Sequence, residues 1–133
     1  MLTESQHAGE FIFFELPYFY NRRTGTVASG QNLVDGQIVQ ITSTKLVAKA
    51  TTLNTAGTAF VVPIEGIIIG NWNRSSTGPE GAADKADVPY LKYGPAIVVE
   101  EKITFPTGTT QKAVAIADLA NKGILVRNTT TPA

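Results

Sequence analysis

Residues 24–42 read TGTVASGQNLVDGQIVQIT, two β-patterned runs separated by a Gly30-Gln31-Asn32-Leu33 loop and an Asp35-Gly36 turn. Gly30 and Gly36 admit the positive φ that other residues resist, and Asp35-Gly36 stands just ahead of Ile38, Val39 and Ile41. This punctuation fixes strand register and predicts a domain of short strands. The segment supplies no nucleophile, general base or metal-ligand set, so what it specifies is architecture.

The flanking sequence continues the pattern. Residues 11–16 pack β-formers densely ahead of Pro17 and predict an exposed strand. Strands over 23–28, 37–42 and 45–50 follow, the last two joined by Ser43-Thr44, and together they predict a β-meander. Further β-branched runs lie at 60–62 and 66–72, the second expected to be buried on both faces. Residues 73–87 lack apolar rhythm and read as one long surface loop. Strand character returns over 88–99, where Pro89, Gly94 and Pro95 predict an edge or a bulge. A single helix is expected late, with Ala113, Ile116, Ala117 and Ala120 on its apolar face, a Thr109 or Thr110 cap, and Gly123 as its stop before a final strand at 124–126. The fold class is mainly β, with one short C-terminal helix and a flexible N-terminal arm. The expected divisions are an arm at 1–10, a domain at 11–128 and a loose tail at 129–133.

Composition removes several function classes. Eleven basic and eleven acidic side chains cancel, leaving no overall field to hold a nucleic acid or an anionic bilayer. The absence of cysteine removes disulfides, thiolate metal sites and thiol nucleophiles together. The longest apolar run, around Ile67-Ile68-Ile69, is far shorter than the roughly 20 residues that cross a bilayer. Residues 1–10 lack the basic start and apolar core of a signal peptide, so secretion is not expected.

Reactive constellations are equally thin. His7, the sole histidine, sits in the polar arm, where no element orients it toward a nucleophile. Glu100 and Glu101, read as strand neighbours, point to opposite faces and cannot flank one bond. Asp84 and Asp87 lack the ligand spacing of a calcium loop. Arg22-Arg23 read as solvating a strand start rather than gripping phosphate. The expectation is no enzyme, no cofactor and no metal. The Tyr18-Phe19-Tyr20 cluster beside Pro17 is instead a candidate subunit or partner interface, because clustered aromatics are costly to leave in water. Trp72 reads as a core or subunit-contact residue.

The order Glu10-Phe11-Ile12, Arg22-Arg23, Thr26-Val27-Ala28-Ser29-Gly30-Gln31-Asn32-Leu33 and Gly36-Gln37-Ile38-Val39, closed by a helix and Gly123-Ile124-Leu125-Val126-Arg127, resembles the lambda-like bacteriophage head decoration (capsid cement) proteins. The resemblance implies a β-tulip or barrel-like fold and a homotrimer on the outer surface of an expanded icosahedral capsid. It also implies a protein made in a bacterial host's cytoplasm, with the major capsid protein as partner and no catalysis. In that family the N-terminal arm lends a strand to the coat protein. By position this implies capsid contacts from Leu2, Thr3, Phe11, Ile12, Phe13 and Phe14. The alternative is a phage tail or fibre module that binds a host glycan through Trp72 and the 73–87 loop.

Overall fold

The structure, a computed structural model, describes residues 9–15, 21–49, 52–75 and 83–127, the Phe14 side chain excepted. In chain order these form β1 (Ile12–Phe14), β2 (Arg22–Val27), β3 (Asn32–Leu33), β4 (Ile38–Thr42), β5 (Lys45–Ala48), β6 (Gly66–Ile68), β7 (Trp72–Asn73), β8 (Lys85–Leu91) and β9 (Ala96–Val99). A 3-10 turn (Glu100–Lys102), the helix α1 (Thr109–Asn121) and β10 (Ile124–Arg127) follow. Five strands close a barrel in the order β2-β5-β4-β6-β8. The β3-β7 pair makes a ribbon, and β1-β9-β10 form a three-stranded sheet. The mainly β, barrel-like architecture with one C-terminal helix matches the sequence-based expectation.

One barrel wall separates two cores, because neighbouring residues of a strand face opposite ways. Val39, Ile68 and Tyr90 point into the barrel with Val27, Leu33, Leu46 and Val88. Ile38, Ile67 and Leu91, one position along the same three strands, point outward into a larger core shared with Phe11, Val98, Val114, Leu119 and Ile124. Of the run expected to be buried over 66–72, residues 66–70 are buried throughout, whereas Asn71 is exposed and Trp72 half-buried. That second core lies between the barrel, α1 and the inner face of the three-stranded sheet.

Several local readings are corrected. The second, fourth and fifth strands do not form a meander: β4 and β5 are a hairpin, but β2 pairs with β5 in parallel at Val27–Leu46 and antiparallel with β8, which closes the barrel. Ser43 and Thr44, the hairpin's two turn residues, both take positive φ, the geometry a tight turn between twisted strands demands. Residues 60–62 contribute only a bridge from Phe60 to Leu53, with Val61 exposed.

The expected 73–87 loop is shorter at both ends, since Asn73 belongs to β7 and residues 85–87 begin β8. β8 has neighbours on both sides, so Pro89 marks no edge. The ladder instead bulges where Ala86 and Asp87 face Thr26 alone, with Asp87 at φ 60°. Glu100 and Glu101 lie in a 3-10 turn rather than a strand, and Glu100 pairs with Lys112 at 3.1 Å.

The helix ends as expected at Gly123, whose φ of 85° lets the chain turn into β10. Its start and its face differ. Gly108 occupies the N-cap with no side-chain cap, and the buried face is Val114, Ala115 and Leu119. Ala113, Ala117 and Ala120 are exposed, because the larger Val114 and Leu119 side chains bury more apolar area and set the rotation.

Lys49 is a buried cation, 8% exposed, whose ammonium donates to Gln40 Oε1 at 3.0 Å and lies 4.2 Å from the Phe60 ring centre. Burial lowers its pKa from the ordinary 10.5, with the Asp118 carboxylate pulling the other way. The unfolded chain then holds this proton more readily than the folded one, so stability rises with pH between the lowered value and 10.5. A Lys49→Met chain lacks this dependence. In denaturant titrations at neutral and alkaline pH, wild type should gain stability relative to Lys49→Met toward the alkaline end. A constant difference would contradict the burial argument.

Candidate interaction surface

Alternation along β1, β9 and β10 sorts the sheet into two faces. Ile12, Ala96, Val98, Ile124 and Val126 face the core, with Ile12 opposite Val98 and Ile124 beside Ala96. The outer face carries Phe13, Ile97, Val99, Leu125 and Arg127. Phe13 and Leu125 are 58% and 56% exposed, and the Arg127 guanidinium lies 4.9 Å from the centre of the Phe13 ring. Among the described residues, no helix or strand lies over this face. Large apolar side chains gathered on one sheet surface, with a stacked arginine at the rim, have the composition of a protein-docking surface.

The N-terminal segment enters the sheet through a fixed root. Phe11 is fully buried, and its carbonyl accepts the Val99 N–H at 2.8 Å. The Ile12 N–H closes a turn on the Gly9 carbonyl at 3.0 Å, and Glu10 pairs with Lys102 at 3.0 Å. The Gly9 N–H donates to Asp35 Oδ1 at 2.8 Å. Of the residues expected to meet a partner, Phe11 therefore fills the domain's own core, Ile12 leans on that core, and Phe13 faces outward. Leu2, Thr3, the Phe14 side chain and Tyr18, Phe19 and Tyr20 lie outside the described residues, as does His7.

Trp72 is half-buried against the barrel core, and its indole N–H donates to the Ile69 carbonyl at 2.8 Å. The start and end of the 75–83 connection are pinned to the barrel. Arg74, 5% exposed, exchanges backbone bonds with Gly30 and Gln31 and donates its Nε to the Ala83 carbonyl at 2.7 Å. Asp84 accepts the Ser29 N–H at 2.7 Å and pairs with Lys45 at 2.6 Å. The Lys45 bond first, and then the Ser29 N–H, hold its carboxyl below the usual range. These partners tie the Asp84 carboxylate to the barrel.

Two features were not read from the sequence. An open cleft of about 430 Å³ is lined by Arg22, Arg23, Thr24 and Pro89. Glu15 holds the Arg22 fork, Nε to Oε2 at 3.1 Å, and the Arg23 guanidinium lies 5.0 Å from the Tyr93 ring centre. Nearby, Glu65 accepts from Tyr90 Oη at 3.2 Å and pairs with Lys92 at 2.8 Å. Burial, reinforced by the Glu65 charge, pushes the Tyr90 phenol up, and the Glu65 bond raises Lys92. Paired in this way, these charges serve the barrel wall. No group of three His, Cys, Asp or Glu side chains among the described residues could hold a metal ion.

An exposed apolar sheet face thus stands beside an N-terminal segment whose root is tied into the core, on a closed five-stranded barrel. The family model for bacteriophage lambda head decoration protein D matches residues 1–124, and the chain belongs to that family. It is thus a capsid decoration protein of a phage head, in a structural family rather than an enzyme family. No curated protein matches the chain.

Proposed function

We propose that this chain cements an expanded icosahedral capsid from outside, as a homotrimer that binds the major capsid protein and resists internal DNA pressure. The observation that carries the reading is the family match, which begins at residue 1 and so takes in the N-terminal segment together with the barrel, sheet and helix. On this reading the protein is made in the host cytoplasm and residues 1–8 add a strand to a coat-protein sheet. Backbone bonds supply affinity and alternate side chains fill pockets.

The energetics require more than that strand. Each backbone bond gains roughly 0.5–1.5 kcal/mol net, while ordering a residue costs about 1–2 kcal/mol. An arm alone is marginal. Covering an exposed aromatic such as Phe13 adds about 1.5–3 kcal/mol, and Leu125 on the same face adds a similar amount. Three arms on one trimer then search at an effective concentration on the order of millimolar, so weak grips sum.

The test is to mix the purified protein with undecorated expanded heads and image them. Saturating density at three-fold positions supports the reading, and bare shells reject it. A Phe13→Ser, Leu125→Ser double variant should melt within about 1 kcal/mol of wild type, since both side chains are exposed. Its affinity for shells should fall by roughly a hundredfold, the loss of two partly covered apolar anchors. Co-sedimentation titrations measure this, and unchanged affinity would remove the sheet face from the contact.

A further inference from the structure

Asp35 is 4% exposed, and its carboxylate joins segments far apart in the chain. Oδ1 accepts the N–H of Gly9 at 2.8 Å and the N–H of Gly70 at 2.7 Å, from residues 26 and 35 positions away. Its own N–H donates to Asn71 Oδ1 at 2.9 Å, and the Gly36 N–H that follows donates to the Ile68 carbonyl at 3.0 Å. The 69–71 turn therefore holds the carboxylate still, and the carboxylate holds Gly9.

The packing of β1 does not need this bond. Phe11 is already sealed in the core, and Val99 already fixes the Phe11 carbonyl. What the Gly9 bond adds is the position and direction in which residues 1–8 leave the domain. A carboxylate suits that task, because hydrogen bonds to an ionised acceptor are roughly twice as strong as neutral ones.

We infer that Asp35 is a positioning residue for capsid attachment: by gripping the Gly9 N–H it sets the exit point of the N-terminal arm and ties it to the Gly70 turn of the barrel. This rests on the proposed capsid-binding role of residues 1–8. Strand addition succeeds at an effective concentration set by how the tether leaves its anchor. An arm hinged loosely at Phe11 spreads its tip over a larger volume than one fixed at Gly9, so fixing the exit favours docking without any new contact to the shell.

The test uses the full chain and three variants, Asp35→Asn, Asn71→Ala and a deletion of residues 1–8. Asn71→Ala loosens the same hub without removing the acceptor of the Gly9 bond, and so serves as the stability-matched control. Amide exchange on wild type comes first. A Gly9 amide protected like that of Gly70 is expected, and a freely exchanging Gly9 would overturn the inference without any variant. In Asp35→Asn, Gly9 exchange should accelerate and affinity for expanded heads should fall by roughly tenfold, the scale by which a charge-assisted hydrogen bond exceeds the neutral one that the Asn oxygen can still accept. Asn71→Ala should bind within a few-fold of wild type. If Asp35→Asn binds like wild type while the deletion does not bind, the positioning role is wrong and the capsid reading stands. If the deletion binds normally, the capsid-arm reading itself fails, and this inference with it.

Discussion

A chain lacking residues 1–8 is expected to melt like the full-length protein and to leave expanded phage heads undecorated. The cut falls just before Gly9, so the rooting contacts among the described residues survive: Gly9 on Asp35, Glu10 on Lys102, the Phe11 carbonyl on Val99, and Phe11 itself in the core. What is lost is the strand proposed to pair with the coat protein. On the proposed trimer that loss is repeated on three arms, taking affinity below the range a sedimentation assay detects. Extending the cut through Ile12 gives a different result, because it empties the Phe11 site. Truncating a buried Phe costs about 3–5 kcal/mol, a large share of the about 5–15 kcal/mol that holds an ordinary domain folded, so the melting temperature should drop steeply. The pair of deletions thus separates attachment from folding. Thermal melts report the second and co-sedimentation with heads the first, and normal sedimentation of the shorter deletion would sink the arm-docking mechanism.

The sequence exposes whatever is local to a few residues. Asp35-Gly36 reads as a turn and is one, with Gly36 at φ 85°. Gly123 reads as a helix stop and is one, and the 66–72 run, read as doubly buried, is so over 66–70. Misreadings arise where a partner distant in the chain decides. Residues 85–87, Lys-Ala-Asp, have no strand rhythm, yet pairing with β2 makes them the start of β8. The parallel Val27–Leu46 contact that closes the barrel leaves no trace in either segment. Regular spacing picks out three alanines and Ile116 as the apolar face of α1, whereas the core buries Val114, Ala115 and Leu119, because three alanines offer little area beside Val114 and Leu119.

The same limit applies to the candidate site. Residues 11–14 are legible as the apolar end of the arm, but only the sheet register shows that Phe11 turns inward and Phe13 outward. Asp35 is legible as a turn former and nothing more. Its role as acceptor for Gly9 and Gly70 depends on three segments meeting in space. The available signal was a glycine beside each meeting point, at 9, 36 and 70, each with a positive φ (76°, 85° and 94°) that glycine adopts without steric cost.

Gly94→Ala should be among the most damaging single substitutions outside the apolar core. Gly94 sits where the chain enters β9, back to back with Gly123 at the end of α1. Its N–H donates to the Lys122 carbonyl at 2.7 Å, and the Ala96 N–H to the Gly123 carbonyl at 3.1 Å. A methyl group on Gly94 would overlap the Gly123 carbonyl, and that atom is backbone, with no rotamer to escape into. Either the helix end moves away from β9 and both hydrogen bonds lengthen, or the parallel β9-β10 pairing shifts with it. Overpacking of this kind costs about 1–3 kcal/mol, and two weakened backbone bonds bring the total to about 3 kcal/mol or more. Gly30→Ala provides the comparison. Gly30 has φ 85°, but a methyl group there would meet nothing within 4 Å, so only backbone strain of about 1 kcal/mol applies. Denaturant titrations of the two variants should therefore differ by about 2 kcal/mol, with Gly94→Ala the weaker. Equal midpoints would mean that the junction between helix and sheet yields more easily than close backbone packing implies.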